Sequence, residues 1–292
     1  MILDHCNRPE GIAAFPVRMF TGTSWQEAVV AVVRETHLEV LLNGRKMITI
    51  ACTGLHTDEL AVGWLRGEGI IRTAGEIESV EVGQEGMSIH VHTRPGLPGI
   101  FANGGTIISS SGARSAAPGI KSSGRETPLS GAQSGESGSE AGGGRNMAAM
   151  KPLAMGTETI SPATVFMLME EMVTAACLHN LSRGTHGAAL AHGSHVLVIR
   201  EDIGRHNCLD MLSGYTLLQG MDSADKVLLR TGRVSSEIVH KVWRMGIPVV
   251  LSLSVPTALA ISLAGQAGIT LVGAIRAPSL TVYTHGKRIR ES

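Results

Sequence analysis

Aromatic residues are scarce, at 3% of the 292-residue chain. A core must therefore be built from alanine, valine, leucine and isoleucine, as α/β proteins commonly build theirs. The 43% hydrophobic content is enough for a substantial interior. Net charge is also missing, with 25 basic and 25 acidic residues and a formal balance of +0. No global field draws the chain to nucleic acid or to an anionic membrane, so any anion recognition must be local. Cysteine is sparse: Cys6, Cys52, Cys177 and Cys208 are widely spaced, and no Cys-x-x-Cys pair occurs. That spacing argues against a disulfide framework and a structural zinc site and fits a reducing compartment. The first residues hold no long apolar run of secretory type, so a cytoplasmic location is expected. Charge is absent from Ile247 to Ile275, but Pro248, Pro256, Gly265, Gln266, Gly268 and Gly273 cut that stretch into pieces too short to cross a bilayer. It is expected to run strand, helix, strand, buried on both faces.

What is present is a repeated unit between Arg200 and Arg276: a short apolar run, a basic turn containing glycine, then a helix pattern. The turns are Arg200-Glu201-Asp202-Ile203-Gly204-Arg205-His206-Asn207 and Arg230-Thr231-Gly232-Arg233, and Ser252-Leu253-Ser254 and Arg276 end two further apolar runs. In a parallel sheet such segments fall at the carboxyl ends of strands, where α/β sheets bind ligands and helix N-termini offer free N–H groups. With arginines added, the pattern predicts a pocket for a large anion, most simply the phosphates of a nucleotide. Taken one at a time, each arginine is equally compatible with a solvated loop.

Residues 111–147 are rich in Ser, Gly and Ala and bury too little apolar surface to offset the entropy of ordering. They are expected to form a flexible loop between a smaller α+β domain over 1–110 and an α/β domain over 148–292. In the first part, strands are expected at Val29 to Val33 and Leu38 to Leu42, with Asn43-Gly44 as a hairpin turn into Lys46 to Ile50. Thr57 is expected to cap a helix running to about Gly67, with strands following at Ile77 to Val82 and Met87 to His92. In the second part, Ser161-Pro162 opens one helix expected to continue to about Leu181. Strands at Ala188 to Ala191 and Val196 to Ile199 precede a helix from about Asn207 to Gln219. The remainder is expected to be a right-handed parallel β-α-β-α-β unit ending near Ile275.

Several runs resemble, in order, the signatures of the FdhD/NarQ family of formate dehydrogenase accessory sulfurtransferases. They include Asp202-Ile203-Gly204-Arg205-His206-Asn207-x-Leu209-Asp210, Gly232-Arg233-x-Ser235, Gly246-Ile247-Pro248, Thr185-His186-Gly187-Ala188-Ala189 and Val282-Tyr283-Thr284-His285. Upstream, Asn43-Gly44, Thr53-Gly54, Asp58-Glu59-Leu60-Ala61 and Glu68-Gly69-Ile70-Ile71 fit as well. The resemblance implies a cytidine-deaminase-like larger domain beside the α+β domain, and a homodimer. It implies sulfur transfer from a cysteine desulfurase to the bis-guanine-dinucleotide molybdenum cofactor, before insertion into formate dehydrogenase. A cofactor segment near the C-terminus is similar to Ala274-Ile275-Arg276-Ala277-Pro278-Ser279 here. Together with Arg205, His206, Asn207, Gly232 and Arg233 these are the expected cofactor-binding residues.

The family's persulfide loop is Ser-Ser-Cys-Gly-x-Cys. This chain has Ser109-Ser110-Ser111-Gly112-Ala113-Arg114, with Ser111 at the first cysteine position and Arg114 at the second. A serine hydroxyl cannot form a persulfide. Cys208, beside Asn207, is expected to be a buried structural cysteine and Cys177 a core residue. The sequence thus offers a sulfur carrier, a cofactor- or guanine-nucleotide-binding chaperone without sulfur transfer, or a base deaminase. Against the last, His186 is followed by Gly187-Ala188 rather than by a glutamate two residues on.

Overall fold

A computed structural model of the chain describes residues 10–83, 86–94, 106–108, 114–116, 151–154 and 159–290. Most of the Ser/Gly-rich loop, Ser111 included, lies outside the described residues. The architecture is mixed α/β with several sheets.

The first lobe is a six-stranded sheet in the order β5-β6-β3-β4-β7-β8. Its strands are β3 (Thr36–Leu42), β4 (Arg45–Cys52), β5 (Ile77–Val82), β6 (Ser88–Thr93), β7 (Thr106–Ile108) and β8 (Arg114–Ala116). Asn43 and Gly44 join β3 to β4 with φ of 50° and 77°, the two left-handed positions that a tight two-residue hairpin demands. Helix α1 (Thr57–Gly67) covers one face, burying Leu60, Ala61, Trp64 and Leu65. Its N-cap is His56 in the left-handed region, and Thr57 is the first helical residue rather than the expected cap.

The second lobe is a six-stranded sheet in the order β10-β9-β11-β12-β13-β14. The strands are β9 (His186–His192), β10 (His195–Asp202), β11 (Val227–Arg230), β12 (Val249–Ser252), β13 (Thr270–Arg276) and β14 (Ser279–Thr284). β11, β12 and β13 run parallel, the central unit expected from the apolar runs. These strands carry helices on both faces. On one face, α2 (Pro162–Ala175) packs Val165, Leu168 and Met172 against Leu229, Leu251 and Val272. On the other lie α4 (Arg205–Leu218), α5 (Ser236–Met245) and α6 (Ala258–Ala267), with Leu212, Val242 and Ala264 in one cluster.

Two sequence expectations are corrected. The single helix from Pro162 to Leu181 is broken at Ala176, and α3 (Cys177–Ser182) follows as a separate turn. The break has a distant cause: the Glu201 carboxylate, from β10, accepts the N–H groups of Leu178 (2.9 Å) and His179 (2.7 Å) and so caps α3 from outside. Cys177 is half-buried and disulfide-bonded rather than a core thiol.

The expected strand at Val29 to Val33 is the end of a longer N-terminal hairpin, β1 (Ile12–Thr21) and β2 (Ser24–Val33), which pair in continuous antiparallel register as a separate sheet. Phe15, Phe20, Trp25 and Val29 on this hairpin are exposed. No helix among the described residues is long and apolar enough to cross a membrane.

The lobes meet where α1 crosses α4. Gly63 and Gly214 make the crossing: a Cβ on Gly63 would overlap the Asp210 carbonyl, and one on Gly214 would overlap the Glu59 carbonyl. Met211 and Leu217 of α4 lie in the same apolar cluster as Leu60, Trp64 and Leu65, so α4 belongs to both cores.

Candidate functional site

Strand direction gathers the site. The parallel strands β11, β12 and β13 end on one edge of their sheet. β9 is antiparallel to β11 with Ala188 opposite Arg230, so His186 at its start lies on that same edge. Asp202, the last residue of β10, pairs with His186, and α4 begins three residues later at Arg205. Arg205, His206, Gly232 and Arg233, expected as ligand residues, are thus joined there by Arg230 and His186.

The electrostatics of this edge are one-sided. Arg230 is 2% exposed; its Nε donates to the Gly232 carbonyl at 3.0 Å, and its terminal nitrogens have no hydrogen-bond partner among the described residues. Burial, with Arg205 close by, pushes the guanidinium down to about 10, although Cys208 pulls the other way. Among the described residues Arg205 makes no ion pair, and its buried Nε has no partner. His186 is pushed below the usual histidine range, first by burial and then by Arg230, Arg205, His179 and His206. His206 is buried with Nδ1 unpartnered, while Nε2 sits 3.1 Å from the exposed Glu237 carboxylate without hydrogen-bond alignment. Arg233 is exposed and has no ion-pair partner among the described residues. Buried cations are ordinarily paired. Arg230 is buried beside the half-buried Arg205, and neither has a carboxylate partner among the described residues.

The 274–279 segment turns the corner from β13 to β14. Ala274 takes φ 52° and donates its N–H to the Ser254 carbonyl, Ile275 is buried, and Arg276 pairs with Ser279 across a cis Ala277–Pro278 bond. Arg276, Ala277, Pro278 and Ser279 are exposed. From β11 to β13 is two strand spacings, about 10 Å, so this corner and Arg230 suit one extended ligand rather than one small ion.

Asn207 is turned elsewhere. Its Nδ2 donates to the Asp202 carboxylate (2.7 Å) and to the Ala51 carbonyl (2.8 Å), joining α4 to the first lobe. Asp202 also accepts from Thr53 N (2.8 Å), Thr53 Oγ1 (2.9 Å) and Gly204 N (2.9 Å). Nearby, Arg200 grips Glu59 through Nε (2.6 Å) and Nη2 (2.7 Å) and stacks over Tyr215.

Burial pushes the Asp202 carboxyl above its usual range, against the pull of its donors. The ionised form is then less favoured in the fold than in the unfolded chain. The contribution of this group to stability is therefore fullest below the ordinary carboxylate pKa and falls as pH rises towards the raised value. In Asp202→Asn an amide N–H₂ would face donors, so a loss of about 2 kcal/mol is expected, read as a lower thermal midpoint. An unchanged midpoint would remove Asp202 from the lobe joint.

The loop that would carry persulfide chemistry starts beside this joint. Ile108, the end of β7, pairs in parallel with Ile50 on β4, two residues before Cys52 and three before Thr53. The free cysteines nearby are poor nucleophiles. Burial, and next the Asp202 charge, push Cys52 up to about 12. Cys208 is pushed well above the thiol range by complete burial, and its Sγ donates to the His186 (3.3 Å) and Gly204 (3.4 Å) carbonyls. Among the described residues, no group of three or more His, Cys, Asp or Glu is placed to hold a metal ion.

In sequence Arg230 stands only at the head of a basic turn and is not among the expected binding residues. The signal was a charge closing the apolar run Val227-Leu228-Leu229, where burial is the rule and a cation needs a reason.

The family model described as the FdhD/NarQ family matches residues 33–290. A protein from Geobacillus kaustophilus named sulfur carrier protein FdhD is 33% identical over 275 residues, covering 94% of this chain and 95% of its own length. Its namesake from Bacillus subtilis is 33% identical over 259 residues, covering 89% of this chain and 90% of its own. A crystal structure from Desulfotalea psychrophila, of a protein assigned as a formate dehydrogenase accessory protein, superposes with a TM-score of 0.71 at 23% identity. It covers 96% of this chain and 99% of its own.

Proposed function

The chain belongs to the FdhD/NarQ family, and we propose that it serves formate dehydrogenase maturation as an accessory protein of the sulfur-carrier class. Its substrate is the bis-guanine-dinucleotide molybdenum cofactor, received together with sulfur from a cysteine desulfurase and passed to formate dehydrogenase. The observation that carries the reading is the row of cations along one strand edge, Arg205, Arg230 and Arg233, without paired carboxylates among the described residues. A ligand with two pyrophosphates supplies the missing negative charge. The larger lobe is then a deaminase-like fold that has exchanged base chemistry for anion binding. The exposed apolar hairpin of β1 and β2 is the surface through which two copies associate in the cytoplasm.

A second reading is favoured by one observation. Ser111 and Arg114 replace the persulfide cysteines, and Cys52 and Cys208 are buried thiols. On this reading the chain binds and hands over the cofactor without carrying sulfur itself.

GDP is the soluble fragment of the cofactor that tests the shared step. Calorimetric titration is expected to show binding that weakens about tenfold in Arg233→Ala, the value of one charge-assisted phosphate contact. Binding should also weaken with added salt, since Arg233 is exposed. Equal affinity of wild type and Arg233→Ala, with no salt dependence, would place the nucleotide elsewhere.

A further inference from the structure

Gly232 leaves a notch bounded by the Arg230 guanidinium, the His186 ring and the stem of Arg205. The Cβ it lacks would stand 3.3 Å from Arg205 Cβ, 3.4 Å from Arg230 Nη2 and 3.5 Å from His186 Nδ1. An oxygen held a few tenths of an ångström nearer would be within hydrogen-bond reach of both nitrogens. Arg230 Nη2 is otherwise without a partner on a side chain that is 2% exposed. The groups come from three elements, β11, α4 and β9, and so approach from different directions. One carboxylate would satisfy a single arginine fork, whereas an arginine nitrogen and an imidazole nitrogen on two different strands suit separate oxygens of a phosphoryl group. Helix α4 starts beside them with no side-chain cap, leaving first-turn N–H groups on the same edge.

We propose that Arg230, Arg205 and His186 enclose a recessed subsite for a single phosphoryl group at the notch of Gly232, an inference that rests on the nucleotide-binding reading and assigns its innermost contact. The ligand class is a phosphate dianion, whether inorganic or the terminal phosphate of a nucleotide. The guanine and the remaining phosphates lie outside the subsite, towards Arg233 and the 274–279 corner. Gly232 sets the size limit, because a side chain there would press into the space between the backbone and a ligand oxygen held by Arg230 and His186. Arg230 fixes the ligand by charge rather than serving the fold.

Isothermal titration of the full chain with inorganic phosphate, GDP and guanosine separates these sources. Phosphate is expected to bind wild type and to displace GDP, and guanosine to leave phosphate uptake unaffected. Gly232→Ala should weaken phosphate and GDP at least tenfold while keeping the fold, since its φ is not left-handed and its new contacts are 3.3 Å or longer. Arg230→Met should do the same and melt no lower than wild type in phosphate-free buffer, because a buried unpaired charge is removed. Equal phosphate affinity in wild type and Gly232→Ala overturns the subsite, as does a much lower melting point for Arg230→Met. GDP binding that phosphate does not displace and that survives both substitutions also overturns it, while leaving the nucleotide reading in place. Phosphate uptake lost in Gly232→Ala, in a protein that does not bind GDP, upholds the subsite and removes the nucleotide reading.

Discussion

Gly63→Ala should lower stability by at least about 4 kcal/mol, in the tail of single-substitution effects, and move the thermal midpoint down by roughly 8–16 °C. One methyl group does this because no neighbouring side chain can give way. The new Cβ meets the backbone carbonyl of Asp210, in the middle of a helix. Only a separation of α1 from α4 relieves the overlap, and α4 cannot move freely. Its Met211 and Leu217 fill the core under the first sheet, while Leu209 and Leu212 fill the core of the second. Separation would also pull on the bonds from Arg66 of α1 to Ser213 O and Thr216 Oγ1 of α4, and on the buried Arg200–Glu59 pair. Gly214→Ala meets the Glu59 carbonyl and should behave alike. Gly265→Ala is the control: its Cβ touches only Thr284 Cγ2, at 4.0 Å, on an exposed position of α6. There the gain in helix propensity should raise stability by up to about 1 kcal/mol. If Gly63→Ala and Gly265→Ala melted together, the two lobes would not be locked through this crossing.

Local chemistry made much of the fold legible. Asn43-Gly44 specified its hairpin because few residue pairs accept two left-handed positions. The unbroken apolar runs at β11, β12 and β13 announced strands buried on both faces, and glycine at 246 and 268 marked the left-handed ends of α5 and α6. What escaped was non-local. The break at Ala176 contains neither proline nor glycine; it is imposed by Glu201, distant in sequence, capping α3. The hairpin of β1 and β2 has no core-facing side, so its apolar residues show no alternation to read.

The site divides along the same line. The turn sequences pointed to Arg205, His206 and Gly232, and strand direction brings them to one edge. The same motif also contains Asp202 and Asn207, which hold the lobes together. In sequence nothing separates a motif residue that faces a ligand from one that faces Thr53 and Ala51, because that depends on a lobe about 150 positions away in the chain. Arg230 was hidden for the opposite reason, since its neighbours on β11 are all apolar and a strand end looks like a loop.

Sulfur loading is the prediction that most sharply separates the two functional readings. Incubated with a cysteine desulfurase and cysteine, wild-type protein should gain no sulfane-sulfur adduct, whose mass would be about 32 Da per atom. The attacking species in persulfide formation is the thiolate. With Cys52 pushed up to about 12, roughly one molecule in 10⁵ carries that thiolate at neutral pH. Cys208 is disfavoured more strongly: it is fully enclosed, the Asp202 charge opposes ionisation, and its hydrogen points into backbone carbonyls. Arg230 pulls the other way, but less than burial pushes. Cys177 is held in a disulfide. Placing thiols at the family positions, as Ser111→Cys with Arg114→Cys, should restore loading, because they return the nucleophile that a serine hydroxyl cannot replace. Peptide mapping of any adduct decides the matter. An adduct on wild type that Cys208→Ala abolishes would overturn the burial argument and return the chain to the sulfur carriers. If wild type stays unloaded while GDP binds and the double variant loads, binding has outlived transfer, and handing over the cofactor is the function that its unpaired arginines still serve.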